Sequence, residues 1–211
     1  MLQIRPGSSI RRFAFLWSLS IALGWFAIPY PGLIFRNEAI SSWPQIWSIT
    51  INLLVWTLAL GSVIGFLQYL LCRSDAEINW VWVLVSAGSY GLGTVVAFLL
   101  SCVLVVVPNP EVLSNQGSSF MFMPLYLMIL FGGMLTAFIQ SLFMRGTLFK
   151  DFREILSWSI AIGLGWEVGL FLSSFAWDAK YPIFVQSGLI GLIIALITAL
   201  LFYVQTRTVK N

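Results

Sequence analysis

Residues 155–177 read ILSWSIAIGLGWEVGLFLSSFAW, an apolar run broken by a single charge at Glu167. A transmembrane helix needs about 20 consecutive apolar residues, so a run of this length predicts a bilayer span. An ionisable group at that depth costs about 2.5–3.5 kcal/mol on insertion scales, and it is rare there without a role.

The rest of the chain agrees with that run. Of its 211 residues, 59% are hydrophobic and 9% charged, and the mean hydropathy is +0.93. A soluble domain carries about 25% charged residues, so this chain cannot cover a water-facing surface. Six apolar segments stand out, at about 12–30, 45–72, 79–107, 119–144, 155–177 and 183–205. Prolines punctuate them where helices tolerate it: Pro44 and Pro182 at starts, Pro29, Pro31, Pro108 and Pro110 at or beyond ends. The expected fold is an all-α membrane protein of six transmembrane helices, forming one domain over residues 1–211.

Charge sets the expected orientation. Arg5, Arg11, Arg12, Arg73, Arg145, Lys150, Arg153, Arg207 and Lys210 fall on one side of the spans, and only Arg36 and Lys180 on the other. Cytoplasmic loops carry the excess of Lys and Arg, so both termini are expected in the cytoplasm. The net charge of +3 is spread over short loops and termini, which fits lipid anchoring rather than nucleic-acid binding. The basic-then-apolar start has no small-x-small cleavage site before Pro29, and is expected to be a retained first span.

The spans share patterns. Odd-numbered spans carry aromatic pairs eight residues apart, Trp17 and Trp25, Trp82 and Tyr90, Trp158 and Trp166. Gly24, Ser89 and Gly165 precede the second aromatic of each pair. Even-numbered spans end in a glutamine followed five residues later by a base: Gln68/Arg73, Gln140/Arg145 and Gln205/Lys210. Glycines seven before the glutamine, Gly61 and Gly133, add to two copies. The expectation is three tandem helical hairpins in parallel orientation. Small residues also recur every four positions, as Ser89, Gly93, Ala97 and Ser101, as Ala161, Gly165, Gly169 and Ser173, and as Ser187, Gly191, Ala195 and Ala199. Such stripes let helix backbones approach closely in lipid, where no hydrophobic drive exists between helices.

This combination resembles a loosely defined group of multi-pass bacterial membrane proteins, common in cyanobacteria and related phototrophs, built from repeated W…GW-type and G…Q…R-type helices. The resemblance covers most of residues 12–210. It implies a bacterial cytoplasmic or thylakoid membrane and no particular activity. In span number, short loops and size the chain is also similar to the substrate-binding subunits of energy-coupling-factor transporters, though no motif of that type matches.

Few residues carry chemistry. There is no histidine, which removes imidazole ligands and His-based triads. Cys72 and Cys102 lie on different spans and read as core thiols. No paired carboxylate occurs within a span, so an enzyme is not expected, and neither is a cofactor or metal. Glu167 lies two residues from both Gly165 and Gly169, about 200° around the helix, and so faces away from the small-residue stripe. Its counterparts in the other odd spans are Phe26 and Gly91, so the acid is an addition to the scaffold. A lone carboxyl there is expected to carry its proton or to meet a cationic or hydrogen-bonding partner. Trp166 beside it offers a face for a ligand or for core packing. Gln68 and Gln140 either line a shallow polar site or, more simply, satisfy helix C-terminal carbonyls and headgroups.

Two functions are consistent with these residues. The first is binding or transport of a small solute at a midplane site near Glu167, with Trp166, Gln68 and Gln140 as the other ligand or partner residues. The second is an accessory or assembly subunit of a larger membrane complex. The expected partners are the lipid bilayer and either a small-molecule ligand or other membrane subunits.

Overall fold

The computed structural model describes residues 9–28, 43–105, 122–145, 149, 151–178 and 183–208. They form six α-helices: α1 (Ile10–Ala27), α2 (Trp43–Cys72), α3 (Val81–Val105), α4 (Phe122–Phe143), α5 (Phe152–Asp178) and α6 (Ile183–Thr208). Among the described residues the β structure amounts to one isolated bridge, between Arg145 and Phe149.

Four of these helices are long and apolar enough to cross a membrane, over Ile46–Cys72, Val81–Leu104, Phe152–Leu172 and Val185–Tyr203. The chain is thus an all-helical protein of membrane type. The described apolar part of α4 is shorter, Leu127–Phe143, and the first turn of α1 carries Arg11 and Arg12. The first helix also stops short of the expected residue 30. Ile28 is extended, at φ −114° and ψ 90°, with its N–H donated to the Gly24 carbonyl. A residue that precedes proline is pushed out of the helical region, and Pro29 follows.

Each helix packs against its neighbours in sequence, and α6 packs against α1. The six therefore close into a ring. Adjacent helices run up and down, so the start of α1 and the α2–α3 loop share one end. Arg12 Nε lies 3.3 Å from the buried Asp75 Oδ2 across that end. The same end holds Arg73, Arg145 and Arg153, at or beyond the ends of α2, α4 and α5.

The outward faces are apolar: Phe66 on α2, Leu92 and Val96 on α3, Leu164 and Val168 on α5, Leu196 and Leu200 on α6 are all exposed. Such a girdle suits hydrocarbon rather than water. The seams are tight because small residues line them. A Cβ built on Gly61 would stand 2.6 Å from the Ser86 carbonyl oxygen and 2.9 Å from Ala87 Cα, and one on Gly93 would stand 2.9 Å from the Thr136 nitrogen. Hydroxyls inside the ring turn back onto their own helices. Thr57 donates to the Leu53 carbonyl at 2.6 Å and Ser101 to the Ala97 carbonyl at 2.7 Å. Thr136 crosses from α4 to the Ser89 carbonyl on α3, 3.2 Å away. Internal pairing of this kind is what a low-dielectric surrounding demands of polar groups.

Candidate functional site

The aromatic pairs on α1, α3 and α5 organise the interior of the ring. Eight residues advance a helix by about 12 Å, so the pairs form two layers.

The first layer, toward the basic end, is continuous. Trp17 meets Trp82 at 5.2 Å between ring centroids and Phe13 at 5.4 Å. Phe13 meets Phe202 at 5.8 Å, which meets Trp158 at 5.0 Å. Trp82 Nε1 donates to Gln68 Oε1 at 2.7 Å, which ties this layer across the α2–α3 seam. Gln68 is therefore committed to the α2–α3 seam, not to a helix end or a headgroup.

The second layer gathers Trp25, Tyr90 and Trp166 at the middle of the ring. Trp166 lies 5.5 Å from Trp25, edge to face, and 5.5 Å from Tyr90. Trp56 of α2 joins at 5.7 Å from Trp25. Each of the three core aromatics is seated on a glycine of the preceding helix around the ring. Gly61 of α2 lies under Tyr90, Gly133 of α4 under Trp166 and Gly191 of α6 under Trp25. Without those glycines the rings would not fit between the helices.

A cavity of about 20 Å³ opens beside this second layer. One water needs roughly 10–15 Å³, so the void has about that size, but its surface is apolar and offers a water no partners. It is lined by Trp25, Leu53, Trp56, Thr94, Met128, Ile129, Trp166, Leu170 and Ile190, so all six helices contribute. Several buried side-chain polar atoms among the described residues lack a hydrogen-bond partner. Two of them, Trp166 Nε1 and Thr94 Oγ1, belong to residues that line the void but turn only apolar atoms to it. The Trp25 indole lies against the Tyr90 hydroxyl as a hydrogen-bond donor.

Of the four candidate ligand or partner residues, Trp166 alone lines the cavity; Trp25, noted for its aromatic pairing, lines it too. Glu167 is half-buried and does not line it. It lies one turn beyond Gly163, whose face meets Leu130 and Met134 of α4. The acid thus belongs to the α4–α5 seam, on the flank opposite Gly165 and Gly169, which pack on Ile197 and Ile190 of α6. Its Oε2 is shut from solvent and unpartnered, as is Gln140 Nε2 near the basic end. The structure does not bring Gln68, Gln140 and Glu167 together. Thr94 and Trp56 were not singled out by sequence. The usable signal for Thr94 is its place one turn beyond Tyr90, the second aromatic of its pair. Comparison with protein-family models, with curated proteins and with solved structures finds no match.

Proposed function

We propose that this chain is a non-enzymatic six-span membrane protein, with both termini in the cytoplasm, that binds or carries a small uncharged solute at the centre of its helix ring. The observation that carries this reading is the cavity at the centre of the ring to which all six helices contribute. Its surface is apolar, which suits an uncharged, apolar occupant and not an ion. On this reading α1 and α4 also cross the bilayer, the hairpins α1–α2, α3–α4 and α5–α6 are three parallel repeats, and the membrane is a bacterial cytoplasmic or thylakoid one. The glycine seats under Tyr90 and Trp166, each seven before a glutamine, support the repeat in two copies, while Gly191 under Trp25 stands two turns off that register.

The test is organic extraction and mass spectrometry of protein purified in mild detergent. Wild type should release one small molecule at near-stoichiometric yield, and Leu53→Phe or Met128→Phe, which fill the cavity, should release far less while keeping helicity. Equal release from wild type and a folded filling variant, or none from wild type, would sink the reading.

A second reading, an accessory subunit of a larger complex, draws on Glu167. The residue is half-buried and its Oε2 unpartnered, while Leu164 and Val168 on the same helix are exposed on the outer face. A basic or hydrogen-bonding group on another subunit would pair with the carboxyl once the side chain turned outward. Glu167→Gln should leave accumulation and helicity unchanged. Loss of a co-purifying subunit in that variant would favour docking over solute binding, and a variant that fails to accumulate would make the acid structural.

A further inference from the structure

A second hollow lies at the basic end, where the α2–α3 loop and the first turns of α3 meet the last turn of α4. It is an open groove of about 70 Å³, and its lining includes Glu77, Asn79, Val81, Trp82, Val85 and Phe143. One water needs roughly 10–15 Å³, so the groove has room for a small headgroup. Polar and apolar atoms both face it. The polar ones come from the loop, because the other lining side chains are apolar and Trp82 Nε1 is taken by Gln68.

The loop is held so as to present them. Ala76 and Ile78 are buried, and Glu77 and Asn79, which alternate with them, are exposed. Asp75, paired with Arg12, anchors the loop on one side. On the other, the Asn79 and Trp80 carbonyls accept the Trp82 and Val83 N–H groups that begin α3. The one ion pair among the described residues is Arg12–Asp75, which leaves the Glu77 carboxylate without a cation. The facing helix supplies a base. Gly93 of α3 lies against Thr136 of α4, and antiparallel counting from there sets Phe143 level with Ser86 and Arg145 level with Leu84. Arg145 is exposed on the α4 side of the groove. Below the loop the walls turn apolar, and they continue onto Leu84 and Leu142, both exposed on the outer face.

An acid on one lip, a base on the other and hydrocarbon-facing walls below match the order of groups along a zwitterionic lipid. We propose that this groove holds a phospholipid with a primary ammonium head, phosphatidylethanolamine. The ammonium N–H groups donate to the Glu77 carboxylate and Asn79 Oδ1, the phosphate pairs with Arg145, and an acyl chain runs over Val85 and Phe143. A choline head carries the same charge but no N–H to donate, so it forfeits the charge-assisted hydrogen bonds. An anionic head would set like charge against Glu77. This site is separate from the central cavity and does not depend on it.

The test uses the full chain purified in mild detergent and titrated with dioleoyl phosphatidylethanolamine, and in parallel with the matching choline and glycerol lipids. Native mass spectrometry counts the lipid retained. Wild type should keep one ethanolamine lipid in preference to either of the others. Glu77→Gln should weaken that retention by about threefold to fivefold, the range for one partly screened charge contact, and leave the choline lipid unchanged. Val85→Trp, which fills the groove, should abolish the preference. In wild type a water-soluble carbodiimide, which joins an amine to a carboxylate it touches, should couple the lipid amine to Glu77. Equal retention of the ethanolamine and choline lipids, or a preference that survives Glu77→Gln, would overturn the proposal. Tighter retention of the glycerol lipid would assign this end to its arginines alone and overturn it as well. So would a carbodiimide adduct confined to other carboxylates.

Discussion

Trp82 and Trp166 are the same side chain on neighbouring odd-numbered helices of one ring, yet their polar atoms are treated differently. Trp82, in the layer at the basic end, gives its indole hydrogen to Gln68 at 2.7 Å. Trp166, in the middle layer, gives its own to nothing. Both layers are buried aromatic clusters, so hydrophobic packing does not distinguish them. The difference is that the Trp82 indole is tied by a hydrogen bond across the α2–α3 seam, whereas Trp166 is held by ring packing beside an apolar void. A tied indole fixes its seam; an untied one contributes only its packing.

The comparison can be broken most severely by attacking what both layers share, the close helix seams. A Cβ on Gly133 would stand 2.8 Å from Trp166 Cγ and 3.0 Å from Gly163 Cα, and the second neighbour is backbone that cannot swing aside. Gly133→Val should therefore cost at least the roughly 1–3 kcal/mol usual for overpacking, seen as lost accumulation or a lower unfolding temperature in detergent. Unchanged stability would mean the α4–α5 seam is looser than described.

A finer test sets the layers against each other. Trp82→Phe strands the Gln68 carbonyl oxygen, a penalty of about 1–3 kcal/mol beyond the lost ring volume. Trp166→Phe strands nothing, so it should cost less than Trp82→Phe by about that amount in thermal or denaturant unfolding of ligand-free protein. In the double variant Gln68→Leu/Trp82→Phe part of the loss should return, because neither partner is left waiting. Equal costs for Trp82→Phe and Trp166→Phe would erase the distinction between the layers.

The smallest effect belongs to the rim. Arg12 is 64% exposed while its partner Asp75 is 6% exposed. Arg12→Lys keeps a positive charge beside the buried carboxylate and should lower stability by no more than about 1 kcal/mol. A larger loss would show that Asp75 needs the guanidinium itself and not only its charge.

Much of the helical framework was legible in the sequence, since backbone pairing within a span is local and apolar length is easily read. The aromatic spacing also pointed inward, because residues eight apart on α1, α3 and α5 lie on related faces. What sequence left open was which helix each face would meet. The contact of α6 with α1 joins segments more than 150 residues apart, such as Phe13 and Phe202, and no local pattern announces it. Gln68 read as a helix-end or headgroup residue because its partner, Trp82, lies on the next helix. Glu167 drew notice because charge is conspicuous in an apolar run. The Trp166 indole nitrogen is buried without a partner, and such an atom is invisible when tryptophan is counted as simply aromatic.

One seam of the ring differs from the others in kind. Five neighbouring pairs of helices are joined by a connecting segment, but α6 and α1 are held only by contacts such as Phe13 against Phe202 and Gly191 against Trp25. Bringing those two helices together closes the longest loop in the molecule, so this seam carries the largest entropy of closure and is expected to form last. A short bifunctional thiol cross-link between Phe13→Cys and Phe202→Cys should then speed refolding more than one across any other seam. Because Trp25 belongs both to that clasp and to the cavity wall, the central hollow comes into being only at the final step of folding. A chain caught with its clasp open would be helical and inserted, yet without its central cavity.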